Sequence, residues 1–346
     1  MNKVKDPHRS TNWKLWAGLL ISALFLYLSL RNVDIYRTWM VIRDSDLWLI
    51  GLVVIINFFQ FIIRSWRWHI FLDTIKKTAF SNRLLSILIG FAANCILPAR
   101  LGEFIRANYL GHAENISRSS AFGTIVVERI FDVFTLFLIL LIGLFGTTFS
   151  KELNAVSGSL GATGLSIFLI YILMIGFLAG LKYYTDPFLN LLDRLLFFLS
   201  QHLRSRIIDV VRNFTLGLVP IKSAYGWVKV ILYSFILWFS ALCQVQLISW
   251  SIGLPIPFIA TFLIITMASF GVMIPSSPGY IGTFHLAVQY GFMLYGAARE
   301  EALSAAILLH ATFFFPTIVF GAIALLLWLR IPHGNVPGKY RISGIE

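Results

Sequence analysis

Six apolar stretches, 13–30, 47–68, 119–146, 164–181, 228–252 and 302–329, dominate this 346-residue chain. A helix needs about 20 apolar residues to cross about 30 Å of hydrocarbon, and a water-soluble fold has no core large enough to bury six such runs. The sequence therefore predicts an all-α polytopic membrane protein. It reads as a single transmembrane domain over 13–330, between tails 1–12 and 331–346. Composition agrees: 58% of the residues are hydrophobic and 13% charged, against about 25% charged in soluble proteins. The first run is longer than a signal-peptide core, and Arg31 follows it without a small-residue cleavage site, so it reads as an uncleaved span.

Two more apolar stretches, 84–97 and 258–295, do not fit this scheme. The first is too short to cross, and the second is broken at "PSSPG", 275–279. Charge placement suggests how they run, because Lys and Arg in short loops stay cytoplasmic. Segments 1–14, 64–83, 182–229 and 330–346 hold nineteen of the 28 Lys and Arg residues, and the alternate connections hold five. The alternation works if both termini are cytoplasmic and each odd stretch returns to the side it entered from. The net charge of +12 is then mostly an orientation signal, and no nucleic-acid partner is needed to explain it.

Each odd stretch breaks at a proline with a glycine four residues on: Pro98 with Gly102, and Pro275 with Gly279. Proline removes a helix donor and clashes with the preceding turn, while glycine tolerates a tight return. Unwound backbone cannot face lipid, so it must be buried in protein or line a wet cavity. Hairpins at about 84–112 and 258–295, with breaks at Pro98, Pro275, Pro278, Gly279 and Gly282, are expected to be re-entrant and to form an inverted repeat.

Charges gather around the first break. "NCILPARLGEFIRANYL", 94–110, carries Arg100, Glu103 and Arg106, and the next span carries Glu128, Arg129 and Asp132 in "VVERIFDVF". Ionisable groups inside a span are costly, so they face a bundle interior or a cavity and pair with one another. Arg100 or Arg106 is expected to pair with Glu128 or Asp132. Two readings stay open. The cluster is a buried ion-pair network, or Arg100 and Arg106, with Asn94 and Gly102 beside them, bind an anion such as phosphate, which suits the guanidinium fork. His285 and His310 are either proton-coupling groups or packing histidines.

Other features read more simply. "RSWRWH", 64–69, looks like an interfacial anchor, and "DSD", 44–46, like a helix cap. Residues 186–219 look like an amphipathic segment on the inner leaflet. Cys95 and Cys243 lie in apolar stretches and suggest neither a disulfide nor a metal site. The phosphate-loop, zinc-protease and nucleophile-elbow motifs are absent, so no cofactor is implied and a transporter is favoured over an enzyme.

"NCILPARLGEFIRA", "ERIFDVF", "PSSPGYIGTFHLA" and the His310 span together resemble the transmembrane-region family of lysylphosphatidylglycerol synthases, also called flippase-like. The resemblance runs from about residue 13 to 330. It implies a bacterial or archaeal membrane protein whose best-understood relatives move a modified phospholipid between leaflets. The lysyl-transferring relatives add a soluble aminoacyl-transferase domain, which this sequence does not show, so aminoacylation is not expected. Many members have Glu where His285 stands. The expectation is a flippase-like transporter of an anionic lipid, either a phospholipid or a polyprenyl-phosphate-linked glycan. The alternatives are an integral membrane transferase and an accessory subunit of an envelope-modifying enzyme.

Overall fold

The computed structural model describes residues 12–146, 169, 172–173, 176–218, 221, 223–274 and 278–330. Most of the span expected at 164–181, the break at Pro275 and nearly all of both tails lie outside them. The described chain is helical, without a strand. α1 (Asn12–Leu30), α2 (Ile35–Arg43) and α3 (Leu47–Leu72) open the fold. α4 (Phe80–Ile96) and α5 (Gly102–Glu114) follow, joined through a 3₁₀ turn at Pro98–Arg100. α6 (Arg118–Gly146), α7 (Thr185–Leu195), α8 (Gln201–Gly217) and α9 (Ala224–Ser251) come next. α10 (Ala260–Met273), a second 3₁₀ turn at Pro278–Tyr280, α11 (Thr283–Met293) and α12 (Arg299–Arg330) complete the chain. Among the described residues, α3, α9 and α12 are long and apolar enough to cross a membrane, whereas α4 and α10 are shorter apolar helices.

Local chemistry sets these boundaries. Asp46 accepts hydrogen bonds from the amides of Trp48 (2.8 Å) and Leu49 (3.4 Å) and starts α3, as the cap reading of "DSD" expects. Asn115, left-handed at φ 51°, ends α5. The 31–46 connection holds α2, which the span scheme leaves as a loop. Asp34 caps it by accepting from the amides of Tyr36 and Arg37.

α4 and α5 fold back on each other, and so do α10 and α11. Glycines allow the close approach. A Cβ on Gly102 would collide with the Gly90 carbonyl and the Asn94 side chain, and one on Gly271 would lie 2.8 Å from the Thr283 carbonyl. The two turns match in an unexpected register. Pro98–Arg100 corresponds to Pro278–Tyr280, and the third residue of each is left-handed, Arg100 at φ 54° and Tyr280 at φ 59°. This likeness aligns Gly102 with Gly282, whereas the expected partner of Pro98, Pro275, lies outside the described residues. The cap of α4, Leu97, leads straight into its turn, while three residues separate Ile274 from Pro278.

Each hairpin belongs to its own apolar core. Ile87, Ile89, Ala107 and Leu110 of the first pack with Phe61, Ile125, Val230 and Ala324. Ile264, Ala268, Val288 and Phe292 of the second pack with Val53, Val245, Ile248 and Ala305. α3, α9 and α12 contribute to both cores. Amphipathic segment 186–219 is two helices, of which α8 packs on α6. Gly217 lies against Gly123 there, and the Ser120 hydroxyl donates to the Asn213 carbonyl at 2.8 Å.

Candidate functional site

The charged cluster assembles from α3, α5 and α6. Glu128 is fully buried and accepts from three arginines: Arg106 Nη2 at 2.8 Å, Arg129 Nη2 at 2.8 Å and Arg67 Nη2 at 3.1 Å. Asp132, one turn on along α6, takes Arg67 Nη1 at 2.7 Å and Arg129 Nη2 at 3.3 Å. Glu103 on α5 lies 3.9 Å from Arg106 and 4.0 Å from Arg129, at the outer limit of an ion pair. Ser234 on α9 accepts from Arg67 Nη1 at 3.0 Å. Arg106 stacks 3.8 Å from the Trp68 ring centre, and the Trp68 indole N–H donates to Thr124 at 2.9 Å. The expected pairing of Arg106 with Glu128 is present, and the network ties α3, α5, α6 and α9 together.

One expectation is overturned. Arg67 and Trp68 do not anchor the end of a span at a water interface: both are fully buried, and Arg67 is the bridge between Glu128 and Asp132. The reason is the length of α3. It continues to Leu72, so Arg64 and Arg67 lie one to two turns inside its end, facing α6. Trp66, 47% exposed, keeps the outward face. The sequence signal was spacing, because Arg64 and Arg67 are i,i+3 and share a helix face.

Beside the cluster, between the two hairpins, lies a cavity of about 490 Å³. Arg64, Arg100, Glu103, Arg129 and Asp132 give it a charged end, while Val53, Leu136, Leu237, Val272 and Leu309 give it an apolar wall. Arg106 is fully buried and does not line it. Arg100 departs from the expected pairing with Glu128 or Asp132. Its backbone is left-handed, it makes no ion pair within 4.0 Å among the described residues, and it lines the cavity together with Tyr280 from the opposite hairpin. Arg64 lies over the Phe91 ring at 5.1 Å. Among the described residues, neither Arg64 nor Arg100 has a carboxylate within 4.0 Å.

The remaining residues singled out in the sequence hold the frame. Asn94 reaches the cavity wall, but its Oδ1 accepts the Gly102 amide at 2.8 Å and so caps the start of α5. His310 on α12 also faces the cavity and bonds the Gly279 carbonyl at 2.8 Å, fastening the second turn. The His285 ring stands edge-on to His310 at 4.7 Å, and its Nδ1 accepts the Gly282 amide at 3.4 Å. Gly279 and Gly282 both need positive φ, 76° and 93°.

Fold and site together define an all-helical, multi-pass membrane protein with a charge-lined cavity between two broken-helix hairpins. The chain belongs to the family described as the lysylphosphatidylglycerol synthase TM region, whose profile matches residues 15–321. It is similar to a UPF0104 membrane protein of Pyrococcus horikoshii, 24% identical over 90% of this chain and 97% of that protein. A UPF0104 membrane protein of Methanocaldococcus jannaschii is 32% identical over 39% of this chain and 42% of its own length. Glycosyltransferase AglD of Haloferax volcanii is 25% identical over 90% of this chain, which spans about half (54%) of AglD. No solved structure matches the chain.

Proposed function

We propose that this protein moves an anionic, amphipathic lipid between the leaflets of the cell membrane. The observation that carries this reading is the cavity, where arginines unpaired or only partly engaged meet an apolar wall, the two chemistries an anionic amphipathic lipid combines. Arg100 and Arg129 contact the phosphate. Arg106, Arg67, Glu128 and Asp132 stand behind them as a fixed scaffold, because both guanidiniums are fully buried, paired to carboxylates and absent from the cavity lining. The two hairpins are re-entrant and enter from opposite faces as an inverted repeat. With both termini cytoplasmic, the amphipathic helices α7 and α8 rest on the inner leaflet, and rocking of the hairpins exposes the cavity to each side in turn.

Headgroup translocation in proteoliposomes tests this reading. Arg100→Gln is expected to slow transport of an anionic fluorescent lipid at least about tenfold, the loss of one charge-assisted contact worth about 1.4 kcal/mol or more. Translocation at the wild-type rate in Arg100→Gln and Arg129→Gln would overturn the site.

A second reading comes from the similarity to the glycosyltransferase AglD: a membrane transferase acting on a lipid-linked substrate, or a subunit that presents such a lipid to an envelope-modifying enzyme. Glu128 and Asp132 are committed to arginines, which leaves Glu103 as the cavity's most available carboxylate. Product formation from a labelled sugar donor by the purified protein would favour this reading over transport.

A further inference from the structure

The charges around the cavity do not balance. Arg67, Arg106 and Arg129 are matched by Glu103, Glu128 and Asp132. Arg64 and Arg100 are left over, and they reach the cavity from two elements, α3 and the first hairpin turn. The nearest carboxylates, Glu103 and Asp132 on the same cavity end, are already shared by Arg67, Arg106 and Arg129, while Arg64 lies over the neutral Phe91 ring and the His310 Nε2 is tied to Gly279. Two like charges facing one cavity repel each other and, among the described residues, have no carboxylate of their own within 4.0 Å, so the site is built to be completed by negative charge from a ligand.

From this surplus we infer that the transported lipid carries a doubly charged phosphate group, a phosphomonoester or a diphosphate, with Arg64 joining Arg100 as an anchor that no carboxylate pairs. This rests on the lipid-transport reading above and sharpens it. A phosphomonoester carries about −1.5 to −2 at neutral pH, enough to neutralise both arginines. A singly charged phosphodiester, as in phosphatidylglycerol, leaves one guanidinium bare. The planar fork of each arginine can take two oxygens, and a terminal phosphate offers three, so both arginines can bind at once. Arg64 sits in a segment that reads as an interfacial anchor, and its place in the cavity gives it a different task.

The experiment compares phosphatidic acid with phosphatidylglycerol of the same acyl chains, using the full-length protein in nanodiscs, with affinity read by competition against a fluorescent anionic lipid. Phosphatidic acid is expected to bind at least about tenfold more tightly. Arg64→Gln is expected to abolish that preference while leaving phosphatidylglycerol affinity within about threefold, and Arg64→Lys, which keeps the charge, is expected to restore most of it. Equal binding of the two lipids by wild type, or an unchanged ratio in Arg64→Gln, overturns the inference but leaves anionic lipid transport standing. Binding of neither lipid overturns both. Inorganic phosphate and pyrophosphate form the control arm. Failure to compete at millimolar concentration supports a lipid headgroup, and competition as strong as phosphatidic acid assigns the site to a soluble anion instead.

Discussion

Glu128 accepts from three guanidiniums on three different helices while fully buried. Replacing it by Gln removes the one close carboxylate of the fully buried Arg106 and leaves Arg67 and Arg129 to share Asp132. Breaking one side of a buried pair costs about 3–5 kcal/mol, so Glu128→Gln is expected to lower the melting temperature in detergent by many degrees. Size-exclusion chromatography after a heat step would show it, with Arg100→Gln, which breaks no ion pair, close to wild type. Glu128, Asp132 and Arg106 were legible in the sequence because a charge inside an apolar run has to find a partner of opposite sign or a wet cavity. Arg67 was not, because an arginine between tryptophans at the end of a run is also what an interfacial anchor looks like. Only the true length of α3 separates the two. Arg100 was legible as part of the cluster but not as its exception, since that depends on a left-handed φ that no residue pattern announces.

At the scale of elements, the first hairpin is held by contacts that leave no room for a side chain. A methyl group at Gly102 meets the Gly90 carbonyl and Asn94, so Gly102→Ala is expected to push α4 and α5 apart at a cost of about 1–3 kcal/mol. Faster proteolysis or hydrogen exchange over 90–106 would report it, while Gly51→Ala on α3, where the space is open, should be silent. The caps were readable: Asp46→Ala should cost about 1 kcal/mol, visible as a small fall in melting temperature. The prolines and glycines correctly marked two breaks. The likeness of the two turns, Pro98–Arg100 and Pro278–Tyr280, was not legible, because the second turn starts three residues farther from its helix cap than the first. α2 was missed because it is short and amphipathic, without an apolar run to announce it.

For the whole molecule, the helical membrane class followed from the lengths of the apolar runs, whereas the cavity did not, because it forms where side chains from eight helices and both 3₁₀ turns converge. Two apolar cores, one per hairpin, share α3, α9 and α12 and leave the cavity between them. A bulky residue on its apolar wall should therefore block the ligand without touching the charges or either core's interior. Val272→Trp is expected to reduce lipid translocation about tenfold or more while the protein still elutes as a single folded peak. Wild-type transport in that variant would mean that the ligand does not use this space.

The network of Arg67 with Glu128 and Asp132 also bears on how the chain enters the membrane during synthesis. α6 carries Glu128, Arg129 and Asp132, each costing about 3 kcal/mol near the centre of a lone inserting helix. Its partner Arg67 lies 61 residues before Glu128. α6 is thus a poor membrane helix until α3 is beside it, and α3 must wait in or near the insertion machinery while the first hairpin is made. In a glycosylation-reporter assay, α6 alone should insert inefficiently, and α3 through α6 together efficiently, with Arg67→Ala returning the longer segment toward the behaviour of the isolated helix.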